Sequence, residues 1–338
     1  MRRATSFFLL PAALAWAGLA LAPPARGADV PLYYGDTIPP ELEVLYMKGL
    51  NYLVSTQNEA GYWPGLHGNE PGVVGLATLA MLAHGDDPNF GPYAVNIRRA
   101  IGYILSASRD TSGCIGMSMY NHGFATLALA EAYGAVNDRR IGPALKKAVE
   151  LILSSQARNP FGAWRYSPDS QDADTTVSGA QMVALVAARN AGLGVPEEAL
   201  EKGLKFYRSC QTGDGGFGYT NNSGTSQPRA AIGTLVFALT RRKDTPEFKA
   251  AFRNLQQISA TEEATLNYFF YYLYYAAQAH FHGSMDDWKV WNARVVKLVE
   301  QRQQADGSWD DRQGPAFSTS TALLVLAVNY RLLPIYER

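Results

Sequence analysis

Two kinds of hydrophobic segment alternate along the chain. One kind gathers its apolar residues on a single face. Pro196 to Gln211 opens with Pro196, Glu197 and Glu198, which suit a first helical turn and the positive end of the helix dipole. Leu200, Leu204 and Tyr207 then recur at helical spacing. Thr245-Pro246-Glu247 opens a second such helix, with Phe248, Phe252 and Leu255 on its buried side. Asp286 to Gln301 repeats the pattern through Trp288, Trp291, Val295 and Leu298. The other kind is apolar nearly all round: Val73 to Ala83, Gly123 to Tyr133, Val177 to Ala188, Ala230 to Leu239, Tyr268 to Ala279 and Ser320 to Leu333. A helix without a polar face must be covered on every side. Gly75, Gly123, Gly179 and Gly233 near the starts of four of them permit close backbone approach.

A short turn joins each half-apolar helix to the wholly apolar one after it. It reads Gln57-Asn58-Glu59-Ala60-Gly61-Tyr62-Trp63, then Asp110 through Gly113-Cys114-Ile115, Gln156 through Gly162-Ala163-Trp164, Gln211 through Gly215-Gly216-Phe217, and Gln304-Ala305-Asp306-Gly307-Ser308-Trp309. Gly61, Gly113, Gly162 and Gly216 lie 52, 49 and 54 residues apart, and Gly307 follows after 91, room for two units with one degenerate turn. Six helical hairpins result. Six such hairpins hide their apolar surface as an all-α (α/α)6 toroid, an inner ring of six helices inside an outer ring of six. Every inner helix then runs the same way, and six N-termini meet at one rim. Residues 40–338 form this single domain.

Residues 1–27 read as a signal peptide: Arg2 and Arg3 precede an apolar run from Phe7 to Ala22, and Ala25 and Gly27 suit cleavage before Ala28. Residues 28–39 are a linker. The expected location is secreted or periplasmic. The run contains Pro11 and is short for a membrane span, and later apolar stretches are amphipathic or interrupted, so no transmembrane helix is expected in the mature chain. Membrane-surface association stays open. With 30 basic and 30 acidic residues there is no basic stripe for nucleic acid. Two cysteines, Cys114 and Cys210, force no disulfide framework.

Glutamine–glycine–tryptophan turns between paired helices, at a period near fifty, resemble the repeats of squalene-hopene cyclases, other terpenoid cyclases and protein prenyltransferase β subunits. The resemblance spans essentially the whole mature chain. It implies that the turn glutamines and Trp63, Trp164 and Trp309 tie adjacent hairpins together. Related toroids serve glycan-processing enzymes as well, so the fold alone assigns no activity.

Asp172-Ala173-Asp174-Thr175-Thr176 at the start of the third inner helix resembles the Asp-x-Asp-Asp-Thr-Ala motif of squalene-hopene cyclases. The resemblance puts Asp172 at the first position and Asp174 at the position that protonates a terminal alkene. Thr175 stands where the family has aspartate, and clustered carboxylates help keep one of them protonated. Asp174 is equally suited to capping the helix. His122, in Tyr120-Asn121-His122-Gly123, is expected at the same rim, where an imidazole beside a carboxylate orients or protonates it. The aromatic run from Tyr268 to Tyr275 puts Tyr268, Tyr271, Tyr272 and Tyr275, with Tyr120, forward as ligand-binding residues, since aromatic faces stabilise carbocations and also stack on sugars.

No Asp-Asp-x-x-Asp motif for a magnesium-bound diphosphate occurs, nor a counterpart of the prenyltransferase zinc ligands. His280 and His282 fall on roughly opposite helix sides. Neither a metal nor another cofactor is expected. Three functions follow: a cyclase-like toroid holding an apolar isoprenoid-type ligand with Asp174 as acid, a non-catalytic extracytoplasmic binding module, or a polysaccharide-processing toroid with Arg229 and His122 as candidates.

Overall fold

The computed structural model describes residues 38–336, except 110–111, 260–261 and 264–265. The expected signal peptide and the linker up to residue 37 lie outside the described residues. The outer helices are α1 (Pro40–Thr56), α3 (Ala94–Ser106), α5 (Ile141–Arg158), α7 (Glu197–Cys210), α9 (Pro246–Gln256) and α11 (Met285–Glu300). The inner helices are α2 (Pro71–Leu82), α4 (Met119–Ala132), α6 (Thr175–Asn190), α8 (Gln227–Leu239), α10 (Phe269–Gly283) and α12 (Pro315–Ala327).

The inner helices pack in the order α2, α4, α6, α8, α10, α12 and back to α2, so the ring closes. Each outer helix lies against inner helices, with α1 resting on α12 and α2. The fold is the (α/α)6 toroid that the alternating pattern predicts. A two-residue antiparallel hairpin, Ser108–Arg109 with Cys114–Ile115, decorates the second corner.

Small residues bring the inner helices together. A Cβ on Gly75 would lie 2.9 Å from the Phe124 carbonyl oxygen of α4, and one on Gly179 would lie 2.2 Å from Ile232 Cγ2 of α8. Almost every residue of these helices is buried, which is why their sequence shows no polar face.

The corners divide their work between two side chains. Each tryptophan is sealed inside its own hairpin. Trp63 Nε1 donates to Leu53 O (2.8 Å), Trp164 Nε1 to Ile152 O (2.9 Å) and Trp309 Nε1 to Val299 O (2.7 Å). The glutamine reaches forward to the next hairpin. Gln57 Nε2 donates to Gly61 O and Asn96 O, Gln156 Nε2 to Gly162 O and Ala199 O, and Gln211 Nε2 to Gly215 O and Glu247 O.

Two register details depart from the sequence reading. In the last corner Gln303, not Gln304, makes these bonds. In the fourth the left-handed glycine is Gly215 (φ +88°), not Gly216, because only Gly215 sits against the next outer helix, where a Cβ would meet Ala250 O at 2.3 Å. The fifth corner, between α9 and α10, lacks a glutamine–glycine pair. There the buried Glu263 accepts from Tyr272 Oη (2.8 Å), Trp291 Nε1 (2.8 Å) and Arg294 Nη1 (2.5 Å).

Helix α12 ends at Ala327, short of the expected Leu333. Asn329 Nδ2 donates back to Leu326 O, Arg331 turns to φ +58°, and Pro334 disfavours helical backbone at the residue before it. The chain then folds into a 3₁₀ turn, Pro334–Tyr336, packed on α6. Ile335 N donates to Glu131 Oε2 of α4 (3.3 Å), and His282 Nε2 of α10 bonds Ile335 O (3.2 Å). This segment seals the C-terminal end of the ring.

Candidate functional site

With that end closed, access lies at the rim where the inner N-termini meet. A cavity of about 680 Å³ opens there. All six inner helices contribute early-turn residues: Gly72 and Val73, then Tyr120, Asn121 and Phe124, Thr176, Gln227 to Arg229, Tyr271, and Phe317. His67, Glu70, Ser118, Tyr166, Tyr219, Ser226, Leu266, Asn267, Tyr268 and Gln313 complete the wall from the connecting segments. Ser118 and Asp174 cap α4 and α6, whereas α2, α8, α10 and α12 have no side-chain cap.

Asp174 is fully buried one layer behind the wall. Its Oδ1 accepts from Thr176 N and Val177 N, each at 2.8 Å, and from Thr176 Oγ1 at 2.7 Å. Its Oδ2 makes no hydrogen bond and faces Arg165 Nε at 3.8 Å. Asp172 is exposed and pairs with Arg165 Nη1 at 2.8 Å. Thr175, which departs from the cyclase motif, bonds the carbonyls of Gly218 and Tyr219 and so joins α6 to the following corner. Tyr120 Oη donates to Thr176 Oγ1, so a hydroxyl chain runs from the cavity wall to the Asp174 carboxylate. Burial pushes the Tyr120 hydroxyl well above the ordinary tyrosine range.

His122 lies elsewhere. It is fully buried, Nδ1 accepts from Ile115 N (3.1 Å) and Nε2 donates to Ala148 O (3.0 Å). Burial lowers its pKa to about 4, which keeps the ring neutral. It faces the outer helix α5 rather than a carboxylate, and it takes no part in the cavity wall.

The tyrosines divide. Tyr120, Tyr268 and Tyr271 line the cavity. Tyr272 turns outward to Glu263, and Tyr275 is buried beneath the wall, its ring 5.2 Å from that of Tyr271. Helical phase turns Tyr272 away from Tyr271, whereas Tyr275 shares the Tyr271 face one turn deeper.

Sequence reasoning missed a dyad. His67 Nδ1 lies 2.6 Å from Glu70 Oε1, both side chains are about two-fifths exposed, and both line the cavity. The backbone of His67 is left-handed, φ +56°, which costs a non-glycine residue roughly 1–3 kcal/mol. Trp63 N to Gly68 O (3.0 Å), Glu70 N to His67 O (2.9 Å) and Tyr103 Oη to Asn69 O (2.5 Å) hold that loop. A histidine three residues before a glutamate, directly ahead of the Pro71 helix start, was the available signal.

Across the ring, Arg229 Nε donates to Phe217 O (3.1 Å) and Nη2 to Gly224 O (2.8 Å), and its guanidinium lies 5.9 Å from the Tyr219 ring. Burial lowers its pKa. It is the one lysine or arginine in the wall and makes no ion pair among the described residues. Nearby, the hydroxyls of Tyr166 and Tyr219 meet at 2.6 Å with Arg165 over both rings.

The family model described as "Domain of unknown function (DUF6288)" matches residues 43–315, from the first outer helix to the start of the last inner one. The chain belongs to the DUF6288 family. No curated protein matches its sequence. Solved structures resemble this DUF6288 chain in fold. The type II terpene cyclase MstE from Scytonema, in complex with geranylgeranyl dihydroxybenzoate, has TM-score 0.58 and 16% identity, over 87% of this chain and 99% of its own. An inactive variant of the α-1,6-mannanase GH76A of Salegentibacter sp. HEL1_6, in complex with α-1,6-mannotetrose, has TM-score 0.67 and 7% identity, over 86% and 99%. A D-mannose isomerase has TM-score 0.66 and 14% identity, over 89% and 99%. At these identities the likeness is one of fold. Among the described residues of the DUF6288 chain, no helix is long and apolar enough to cross a membrane, and no three His, Cys, Asp or Glu side chains gather as metal ligands.

Proposed function

We propose that this protein binds a saccharide in the cavity at the N-terminal rim. The observation that carries the reading is the composition of the wall. Planar amides (Asn121, Gln227, Asn267, Gln313) and tyrosine hydroxyls alternate with the aromatic faces of Tyr268, Tyr271, Phe124 and Phe317. Amides both donate and accept, which suits vicinal hydroxyls, while aromatic faces suit the C–H side of a pyranose ring. An extracytoplasmic location, proposed from Arg2, Arg3 and the Phe7–Ala22 run, suits a glycan ligand.

A second reading places an apolar isoprenoid-type ligand in the same cavity with Asp174 as acid. Val73, Phe124, Leu266 and Phe317 support it by supplying apolar wall. The burial of Asp174 outside the cavity wall counts against it, because an acid that protonates an alkene must touch the alkene carbon, and Asp174 reaches the cavity only through Thr176. Titration calorimetry with neutral and acidic oligosaccharides and with geranylgeranyl compounds separates the two. Saccharide binding that falls at least about tenfold in Tyr271→Ala upholds the first reading. Binding of the prenyl compounds alone, with cyclisation that Asp174→Asn abolishes, upholds the second.

A further inference from the structure

We infer that the rim cavity is a β-elimination site for uronic-acid glycans, with His67 as the catalytic base and Arg229 as the group that holds the substrate carboxylate. The inference rests on the saccharide reading and deepens it.

Two chemically opposed groups face one cavity from opposite walls. His67 and Glu70 precede α2, and Arg229 lies in the first turn of α8; in the ring α2 and α8 are three places apart in either direction. Glu70 engages His67 Nδ1, which fixes Nε2 as the nitrogen left for proton transfer. Glu70 is thus a positioning residue. The left-handed backbone at His67, held by the bonds around Gly68 and Asn69, fixes the loop that carries the dyad at the cavity wall.

Arg229 supplies what His67 lacks. Arg165 is already matched to Asp172 and Asp174, whereas Arg229 is held only by backbone carbonyls and the Tyr219 face. A half-buried guanidinium without a counter-ion in a ligand cavity is suited to a carboxylate. Neutralising a carboxylate makes the hydrogen on the adjacent carbon removable, because the developing enolate charge falls on the oxygens the arginine holds. In a uronate that hydrogen and the carboxylate leave the same C5 in different directions. Base and cation therefore have to approach from different walls, as they do here.

The step balances without a co-reactant. His67 Nε2 takes the C5 proton, the electron pair forms the C4–C5 double bond, the C4–O4 bond breaks, and O4 leaves with the proton returned from the imidazolium. The uronate becomes a 4,5-unsaturated non-reducing end, and the departing oxygen stays on C1 of the neighbouring sugar as a free anomeric hydroxyl, a new reducing end.

The test uses the full chain with polygalacturonate, alginate, chondroitin and hyaluronan, reading the ultraviolet absorbance of the unsaturated uronate and, separately, binding by calorimetry. At least one polymer should yield the chromophore. His67→Gln should lower kcat at least about 100-fold, Glu70→Gln should lower kcat with KM unchanged, and Arg229→Met should both lower kcat and raise KM; thermal melts identify any variant that fails to fold. Arg229→Lys, which keeps the charge, should recover part of the affinity. Polymer or neutral-sugar binding with no chromophore overturns the inference and leaves saccharide binding standing. No binding and no chromophore overturns both. Elimination at an undiminished rate in a folded His67→Gln variant removes His67 as the base.

Discussion

Gln303 Nε2 donates to Leu45 O at 3.0 Å, joining residues 258 positions apart in the chain. The same glutamine donates to Gly307 O of its own corner. This repeats the bonds that Gln57, Gln156 and Gln211 make to their successors, but here the successor of the last hairpin is the first. Ring closure is thus the corner motif applied once more, and Gln303→Ala should cost about 1–3 kcal/mol because it strands the Gly307 carbonyl and unties α1 from the last corner. Urea denaturation measures it, and a loss no larger than that of an exposed control such as Gln301→Ala would refute the role.

Glycine substitutions should divide by position. Gly215→Ala places a Cβ 2.3 Å from Ala250 O at a left-handed φ and should cost more than about 2 kcal/mol. Gly102→Ala, in the middle of α3 with nothing within 4 Å, should stabilise by about 0.5–1 kcal/mol. Equal effects from the two changes would contradict this packing.

The corner tryptophans should behave as structure. Trp309→Phe keeps most of the buried ring but removes the indole donor to Val299 O, which still accepts from Arg302 N, at about 0.5–1.5 kcal/mol. Saccharide affinity in the surviving folded fraction should match the wild type, since Trp309 is absent from the cavity wall. An affinity loss in calorimetry would reverse that assignment.

Asp174 can be dissected by replacement. Asparagine keeps an oxygen to cap α6 and accept from Thr176, whereas alanine loses the cap and should cost about 2 kcal/mol. Chemical denaturation of Asp174→Ala alongside Asp174→Asn gives the comparison, and equal stability of the two would show that the capping oxygen contributes nothing.

Acid should weaken the fold through His122. Its folded pKa is depressed from 6.5 to about 4 by burial, so between those values the unfolded chain binds a proton that the folded chain refuses. Stability contributed by the neutral ring is complete above pH 6.5 and is lost as pH falls towards 4, up to about 3 kcal/mol. Thermal melts from pH 7 to 4 should show a steeper decline in the wild type than in His122→Gln; parallel declines would dismiss this contribution.

The architecture was legible in the sequence because burial on all sides leaves a composition trace. Helices such as α2 and α12 could only be inner-ring helices, and left-handed glycines punctuate five corners at a near-constant period. That period and the one-way run of the hairpins determine that six N-termini share a rim. Which side chains face the cavity was decided by the tertiary structure alone. His122 and Tyr120 are two residues apart, yet one points to α5 and the other to the lumen, and Tyr271 parts from Tyr272 in the same way. In wholly apolar helices every face is buried, so hydrophobic periodicity carries no information about helical phase. His67 and Arg229 meet across the cavity only because the ring brings two sites 162 residues apart onto facing walls, and chain-local pattern holds no trace of that distance.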